Sequence, residues 1–249
     1  MPQFIIASSD IDQNRIIFSG SAFKHIRSLR ISFHETVTLL DENANLYQAR
    51  LAELRKHSAV FQIIRRMPVQ KKRSGILLAQ ALIKNDKMNM VFQKATELGV
   101  DGILPFVSRY TVVQLKNDSF IRRSNKIIRE AVGQSMRQSV PHLYNPTTYE
   151  EIITSMPDVR KILFHYGPGT PPLYSFTDFL KSPDALMLII GPEGGFSGDE
   201  LQYAKDHKVI VAGLGDMVLR AETAAIAAIS IASFVRGQYK RLDQQENFI

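Results

Sequence analysis

The stretch "LMLIIGPEGGFSGDE", residues 186–200, runs from an uninterrupted aliphatic segment into Gly191, Gly194, Gly195 and Gly198, with Pro192 and Glu193 among them. An apolar run without polar alternation is buried on both faces, as in a parallel sheet covered by helices. "SGDE" then opens a helix, with Ser197 placed to cap it and Glu200, three residues on, to reach back in a capping box. Strand, glycine loop and helix N-terminus form the place where α/β proteins bind ligands. Glycine there lets backbone approach a ligand closely and adopt positive φ. The spacing argues against phosphate. A phosphate loop needs Lys followed by Ser or Thr, and a dinucleotide fingerprint needs G-x-G-x-x-G; this loop reads G-x-x-G-G-x-x-G. Glu193 would also repel a phosphate. A ligand with hydroxyls, an amino group or positive charge fits better, and a tight loop without any ligand is the alternative.

Two further strand ends resemble this one. "LFHYGPG", "LIIGPEGG" and "VAGLGDMVLRAETAA" each pass from apolar residues into a glycine-containing loop, so neighbouring strand ends could build one pocket largely from backbone groups. The third also brings Arg220, Glu222 and Thr223 to the start of a helix. That helix, "AETAAIAAISIASFV", has no charge between Glu222 and Arg236 and many small residues, which predicts burial on nearly every side, in a core or a subunit interface.

The elements that must position these loops fall into two patterns. Residues 1–67 read as short strands, "QFIIAS", "RIIFSG", "ETVTLL", "LYQARLAEL" and "SAVFQIIRR", with "DENAN" as a hairpin turn and a short helix through "SAFKHIRSLR". This pattern predicts a small barrel. "RRMPVQKKRSG" reads as a basic hinge or linker, or as a solvated charge run. From residue 76 the pattern is strand–helix alternation: "ILLAQALI", a helix in "DKMNMVFQKATELG" with Met88, Val91, Phe92, Ala95 and Leu98 on one face, "GILPFVS", a basic amphipathic helix in "SFIRRSNKIIREAVGQSMRQ", a helix in "TTYEEIITSM", then "KILFHY", the irregular "GPGTPP", "ALMLIIG" and "KVIVAGLG". Such alternation predicts a doubly wound parallel sheet. The boundaries are 1–73 and 74–249.

Charge is segregated. Residues 1–73 carry 12 Lys+Arg against 6 Asp+Glu, a net of +6; residues 84–141 carry 10 against 5, a net of +5; residues 142–249 carry 9 against 13, a net of −4. The cationic first 141 residues, with a pI near 9.6, suit a polyanion such as nucleic acid, or reflect ordinary basicity. The absence of cysteine excludes disulfides and thiolate metal sites, and the six histidines lack metal-ligand spacing, so no metal is expected. No apolar run approaches the roughly 20 residues of a membrane span, and the N-terminus lacks the basic start of a signal peptide. A cytoplasmic protein is expected.

"IIGPEGGFS" followed by "LGDMVLRAETAA" closely resembles the ribosomal RNA small subunit methyltransferase E family, of the SPOUT class. "KHIRSLR" with His25, Leu29 and Arg30, "QKATELGV" at 93–100, Arg109 and "EAVGQSMRQSVP" at 130–141 carry the resemblance along the chain. The chain departs from the family's pattern at Asp216 and Met217, usually Pro and Arg, at Arg123-Ser124, usually Arg-Trp, and at Gly133-Gln134, usually Glu-Gln. The resemblance implies S-adenosylmethionine-dependent methylation of N3 of one uridine in 16S rRNA, with the assembled small ribosomal subunit as the expected partner. It also implies an N-terminal PUA-like β-barrel, a C-terminal α/β domain with a parallel sheet and a deep trefoil knot, and a homodimer. A non-catalytic RNA-binding or ribosome-assembly factor on the same fold is the other expectation.

On this resemblance the cofactor pocket uses His165, Gly167, Gly191, Glu193, Gly194, Gly195, Phe196, Leu214, Gly215, Leu219 and Thr223. Glu193 polarises the site, orders its loop or caps neighbouring amides; Leu214 and Leu219 flank the adenine or belong to the core. Uridine N3 must lose its proton before attacking a methyl group, and the resulting charge spreads onto O2 and O4. Arg220, cationic in either role, stabilises that anion or anchors a phosphate. Glu222 accepts the proton, orients Arg220, or is a first-turn carboxylate favoured by the helix dipole. RNA phosphates would meet Arg27, Arg30, Arg65, Arg66, Lys71, Lys72, Arg73, Arg109, Arg122, Arg123, Lys126, Arg129 and Arg137, while His25 stacks on a base or satisfies a local carbonyl.

Overall fold

The computed structural model describes residues 2–68, 75–113 and 118–237. The chain divides into two compact units: Met1–Lys71 with Arg129–Val140, and Lys72–Ile128 with Pro141–Ile249. No helix among the described residues is long and apolar enough to cross a membrane.

In the first unit β1 (Gln3–Ile5), a 3-10 turn at Ser8–Asp10, β2 (Ile11–Asp12), β3 (Arg15–Ser19), α1 (Gly20–Ser28), β4 (Thr36–Leu40), β5 (Leu46–Leu54) and β6 (Ser58–Met67) follow in order. They make a sheet in the order β1-β4-β5-β6-β3-β2, antiparallel except for β1 beside β4. β3 buries Ile16 and Phe18 while Arg15, Ile17 and Ser19 face out, the period of two that a one-sided sheet imposes. Phe18 meets the Phe61 ring edge-on at 5.5 Å, and Phe4, Phe23, Ile26, Val37 and Leu39 complete the core. The "DENAN" turn is organised by buried Asp41, which accepts from the backbone N–H groups of Asn43 and Asn45, the Asn45 amide and the Tyr47 hydroxyl. Burial opposes its charge, yet those bonds hold the carboxyl below the usual carboxylate range.

The "RRMPVQKKRSG" reading needs correction at its start. Arg65 and Arg66 are strand residues of β6, paired with Gln48 and Tyr47 of β5. Ladder pairing outlasts the point at which the composition turns basic. Lys71, Lys72 and Arg73 lie outside the described residues.

The second unit contains β7 (Ile76–Ala81), α2 (Asn85–Glu97), β8 (Gly102–Val107), α3 (Asp118–Ser135, which crosses into the first unit at Arg129), β9 (His142–Leu143), β10 (Thr147–Thr148), α4 (Tyr149–Thr154), β11 (Arg160–Phe164), a 3-10 turn at Leu173–Phe176, α5 (Thr177–Lys181), β12 (Leu186–Ile190), α6 (Gly198–Asp206), β13 (Ile210–Ala212) and α7 (Ala221–Val235). The sheet runs β10-β8-β7-β12-β11-β13, with β9 on β8. All its ladders are parallel. Every residue of β12 is buried, as its unbroken apolar run requires. On α2, Met88, Val91, Phe92 and Ala95 are buried and Leu98 partly so.

α7 departs from the expectation of burial on nearly every side. Ala221, Ala225, Ala228, Ile229 and Ala232 face inward, but Ile231 is 38% and Phe234 74% exposed. The lack of charge in this helix therefore does not come from an all-round protein environment within one chain.

Candidate functional site

Because the ladders are parallel, β11, β12 and β13 release their chains at the same sheet edge. The segments that follow line a cavity of about 430 Å³: Phe164 to Tyr166, Ile190 to Phe196, and Leu214 with Gly215 and Met217 to Ala221, closed by Ala224 of α7. Of the expected cofactor residues, His165, Gly191, Glu193, Gly194, Gly195, Phe196, Leu214, Gly215 and Leu219 line it, and Arg220 joins them. Gly167, Glu222 and Thr223 are not in the lining.

The glycine loop is a tight turn in which the Gly195 N–H donates to the Pro192 carbonyl at 2.9 Å. Gly195 at φ +69° and Gly215 at φ +135° hold backbone conformations that side chains disfavour. Other glycines here also make room for neighbouring protein. A Cβ on Gly191 would stand 2.9 Å from the Phe196 ring, one on Gly194 2.8 Å from Tyr110 Cβ, and one on Gly167 2.7 Å from His165 Nε2. Phe196 is itself buried, its ring 5.5 Å from Tyr149, so its side chain braces the loop from the core.

The capping box forms as the sequence predicts: the Glu200 N–H donates to Ser197 Oγ at 3.3 Å and the Ser197 N–H to Glu200 Oε2 at 2.8 Å. The other Glu200 oxygen accepts from the Arg109 N–H at 2.9 Å, and the Arg109 guanidinium pairs with Asp199 at 2.7 Å. The segment after β8 is thus latched to the N-terminus of α6, bringing Tyr110 against Gly194. Arg109, expected to meet RNA, already holds a carboxylate.

Chemically, the lining combines half-buried leucines, open glycine backbone, one carboxylate and one guanidinium. Leu214 and Leu219 are neither fully buried nor core members. Arg220, the residue preceding α7, is exposed and reaches the cavity. Glu222 is buried; its Oε2 has no hydrogen-bond partner and lies 3.9 Å from Lys87 Nζ, a distance for ion pairing but too long for a hydrogen bond. Lys87 donates to Glu193 at 3.2 Å. Sequence reasoning missed Lys87: it sits in α2, after a fourth strand end of the same sheet edge, whose loop contains no glycine. Burial, with Lys205 nearby, pushes the His165 imidazole below its ordinary pKa.

The remaining expected RNA residues are scattered. Arg27, Arg30, Arg122, Arg123, Lys126 and Arg129 are exposed; Arg65 donates to Gln48 and Arg66 to Asn45. Arg137 is half-buried, its carbonyl accepting from Gln3. The His25 ring stands edge-on to Phe4 at 6.0 Å, and its carbonyl accepts from the Ser28 hydroxyl. No group of three or more His, Asp or Glu placed to hold a metal occurs among the described residues.

A parallel α/β sheet whose strand ends converge on a glycine-built cavity defines the class of ligand-binding α/β proteins. The chain belongs to the RNA methyltransferase domain family, whose model matches residues 70–233. It is 30% identical to the ribosomal RNA small subunit methyltransferase E of Bacillus subtilis, over 64% of this chain and 65% of that protein. It is 28% identical to the protein of the same name from Rickettsia conorii, over 81% of this chain and 82% of that one. The crystal structure of the Neisseria gonorrhoeae ribosomal RNA small subunit methyltransferase E bound to S-adenosyl methionine superposes with a TM-score of 0.85 at 28% identity, covering 96% of this chain and 100% of that one.

Proposed function

We propose that this chain is an S-adenosylmethionine-dependent methyltransferase acting in the cytoplasm on N3 of a uridine in 16S rRNA. The observation that carries the reading is the cavity at the ends of β11, β12 and β13, whose lining has a carboxylate but, among the described residues, no lysine. That donor set suits a cationic, partly apolar cofactor and not a polyphosphate. The residues present fit the group: Leu214 and Leu219 offer apolar faces for an adenine, the 191–195 backbone offers amides and carbonyls for hydroxyls, and Glu193 attracts positive charge. A relative of similar fold holds S-adenosyl methionine.

When bound, the cofactor supplies an electrophilic methyl group. The chain's own part is orientation and charge. Arg220 lines the cavity and offers its guanidinium, a planar donor fork, to O2 or O4 of the anion that uridine becomes once its N3 proton has passed to solvent water. Because N3 lies on the pairing edge, the uridine enters unpaired or flipped, and alignment of nucleophile and methyl supplies much of the rate. Buried Glu222, off the lining, is assigned to positioning and not to proton transfer.

Around this centre we read the first unit as a PUA-like RNA-binding barrel and the second as a SPOUT-type knotted domain, with 1–73 and 74–249 as the functional division. The assembled small subunit is the expected substrate. A homodimer is supported by the exposed apolar Ile231 and Phe234 of α7. Calorimetry with S-adenosylmethionine, together with mapping of N3-methyluridine in 16S rRNA after deletion of the gene, tests the reading. RNA binding without cofactor uptake would replace it with a non-catalytic assembly factor.

A further inference from the structure

Lys87 lies in the first turn of α2, where the positive end of the helix dipole disfavours a cation. Its own helix gives it no electrostatic reason to be there. Compensation comes from two other elements: Glu193 of the glycine loop at 3.2 Å and Glu222 of α7 at 3.9 Å. Those elements are two walls of the cavity. Glu193 lines it directly, and Glu222 follows the lining residues Arg220 and Ala221. The three side chains are 30%, 41% and 10% exposed, in the order Lys87, Glu193, Glu222, so the cluster is only partly open to water. Without the ammonium, the two carboxylates that converge on it would lose their shared cation, one of them buried with an oxygen that has no hydrogen bond. Like charges in a half-dry site repel, and of the two carboxylates Glu193, the more exposed, is the one that can turn toward solvent.

Resting on the cofactor reading above, we infer that Lys87 is a positioning residue of the cofactor cavity: its ammonium ties the glycine loop to the start of α7 and sets where Glu193 stands. The role is separable from a stability role: the partly exposed Lys87–Glu193 pair contributes little to folding, and the cost of stranding buried Glu222 is read independently in the ligand-free melting temperature. It also differs from catalysis, because Lys87 is not in the lining. The charge arithmetic has a consequence for the ligand. Lys87 neutralises one of the two carboxylates, leaving a net charge of −1 at the cluster, which a cationic ligand completes and an anionic one does not.

The test compares Lys87→Met, Lys87→Arg, Glu193→Gln and the double variant Lys87→Met/Glu193→Gln in the full chain. The readouts are ligand-free melting temperature, S-adenosylmethionine affinity by calorimetry, and single-turnover methyl transfer at saturating cofactor. Lys87→Met is expected to weaken cofactor affinity by about ten- to a hundredfold, the scale of losing a charged partner, a loss larger than the accompanying fall in melting temperature from stranding buried Glu222 explains. Lys87→Arg should recover most of the affinity. In the Glu193→Gln background, where no repulsion remains to be relieved, Lys87→Met should cost far less than alone. Saturating cofactor should restore most of the transfer rate. Wild-type affinity in Lys87→Met, or strictly additive effects of the two substitutions, would overturn the inference; so would a fall in melting temperature that accounts for the whole loss. A wild-type chain that takes up no S-adenosylmethionine would overturn the cofactor reading itself, a result distinguishable from the failure of Lys87 alone.

Discussion

Arg220 is the residue at which the cavity's chemistry concentrates, because it is the permanent cation of a lining made mostly of backbone and apolar side chains, with one carboxylate and the His165 imidazole. Among the described residues no carboxylate pairs with it, so its charge is available to a ligand. Arg220→Ala should slow single-turnover transfer by about a hundredfold or more, the scale of removing one preorganised donor, while cofactor affinity falls far less. Arg220→Lys should restore only part of the rate, since lysine lacks the planar fork. A wild-type rate in Arg220→Ala would remove it from the active site, and a loss confined to RNA affinity would make it a phosphate anchor. His165 makes a different prediction. Its folded pKa lies below the ordinary value of 6.5 through burial and Lys205, so the unfolded chain takes up a proton first as pH falls. The stability contributed by the neutral ring is therefore present above about pH 6.5 and lost as pH falls through the folded value. Melting curves from pH 8 to pH 5 should show a shallower acid slope in His165→Gln than in wild type; identical slopes would assign the acid loss to other groups.

At the scale of elements, what was legible was local. The capping box of α6 could be read from Ser197 and Glu200 because its partners are three residues apart and their geometry follows from helix entry alone. Its latch to Arg109 could not, since the partners are separated by some ninety positions and nothing in either segment names the other. Ser197→Ala should cost about 1 kcal/mol as a lost cap. Glu200→Ala should cost more, about 1–3 kcal/mol, because it strands the Ser197 and Arg109 N–H groups together; denaturant midpoints measure both, and equal costs would mean the latch contributes nothing. The glycines teach the same lesson from the other side. Their presence announced close approach, but not by what. If Gly194 yields to Tyr110, then Gly194→Ala should weaken cofactor binding, and adding Tyr110→Gly, which removes the opposing Cβ, should recover it. Tyr110→Ala, which keeps that Cβ 2.8 Å from the new one, should not. Recovery in neither background would mean that the ligand itself needs the space.

For the whole molecule, strand–helix alternation indicated a parallel sheet, yet it could not give the strand order. β7, β8, β11 and β12 are all apolar runs of similar length, and only packing decides that β12 enters between β7 and β11. That order is what carries the end of β7, and with it Lys87 of α2, toward the glycine loop after β12. The apolar terminal helix was legible as a helix without charge, but not which of its sides the chain itself would cover. Alanines on its inner side permit close contact with α2, β7 and β12, while Ile231 and Phe234, three residues apart and hence on one helical face, remain open to solvent. A single exposed phenylalanine is unremarkable in a folded chain, but on a helix whose open face also lacks every charge from Thr223 to Val235 it marks a surface suited to a second copy. Phe234→Glu places a charge there without touching the cavity lining. Sedimentation of the wild type should report a dimer and that of Phe234→Glu a monomer at the same concentration, with the melting temperature lowered only as far as lost association requires. A wild-type monomer, or a variant that still dimerises with wild-type affinity, would show that this face of α7 is not the one on which two copies meet.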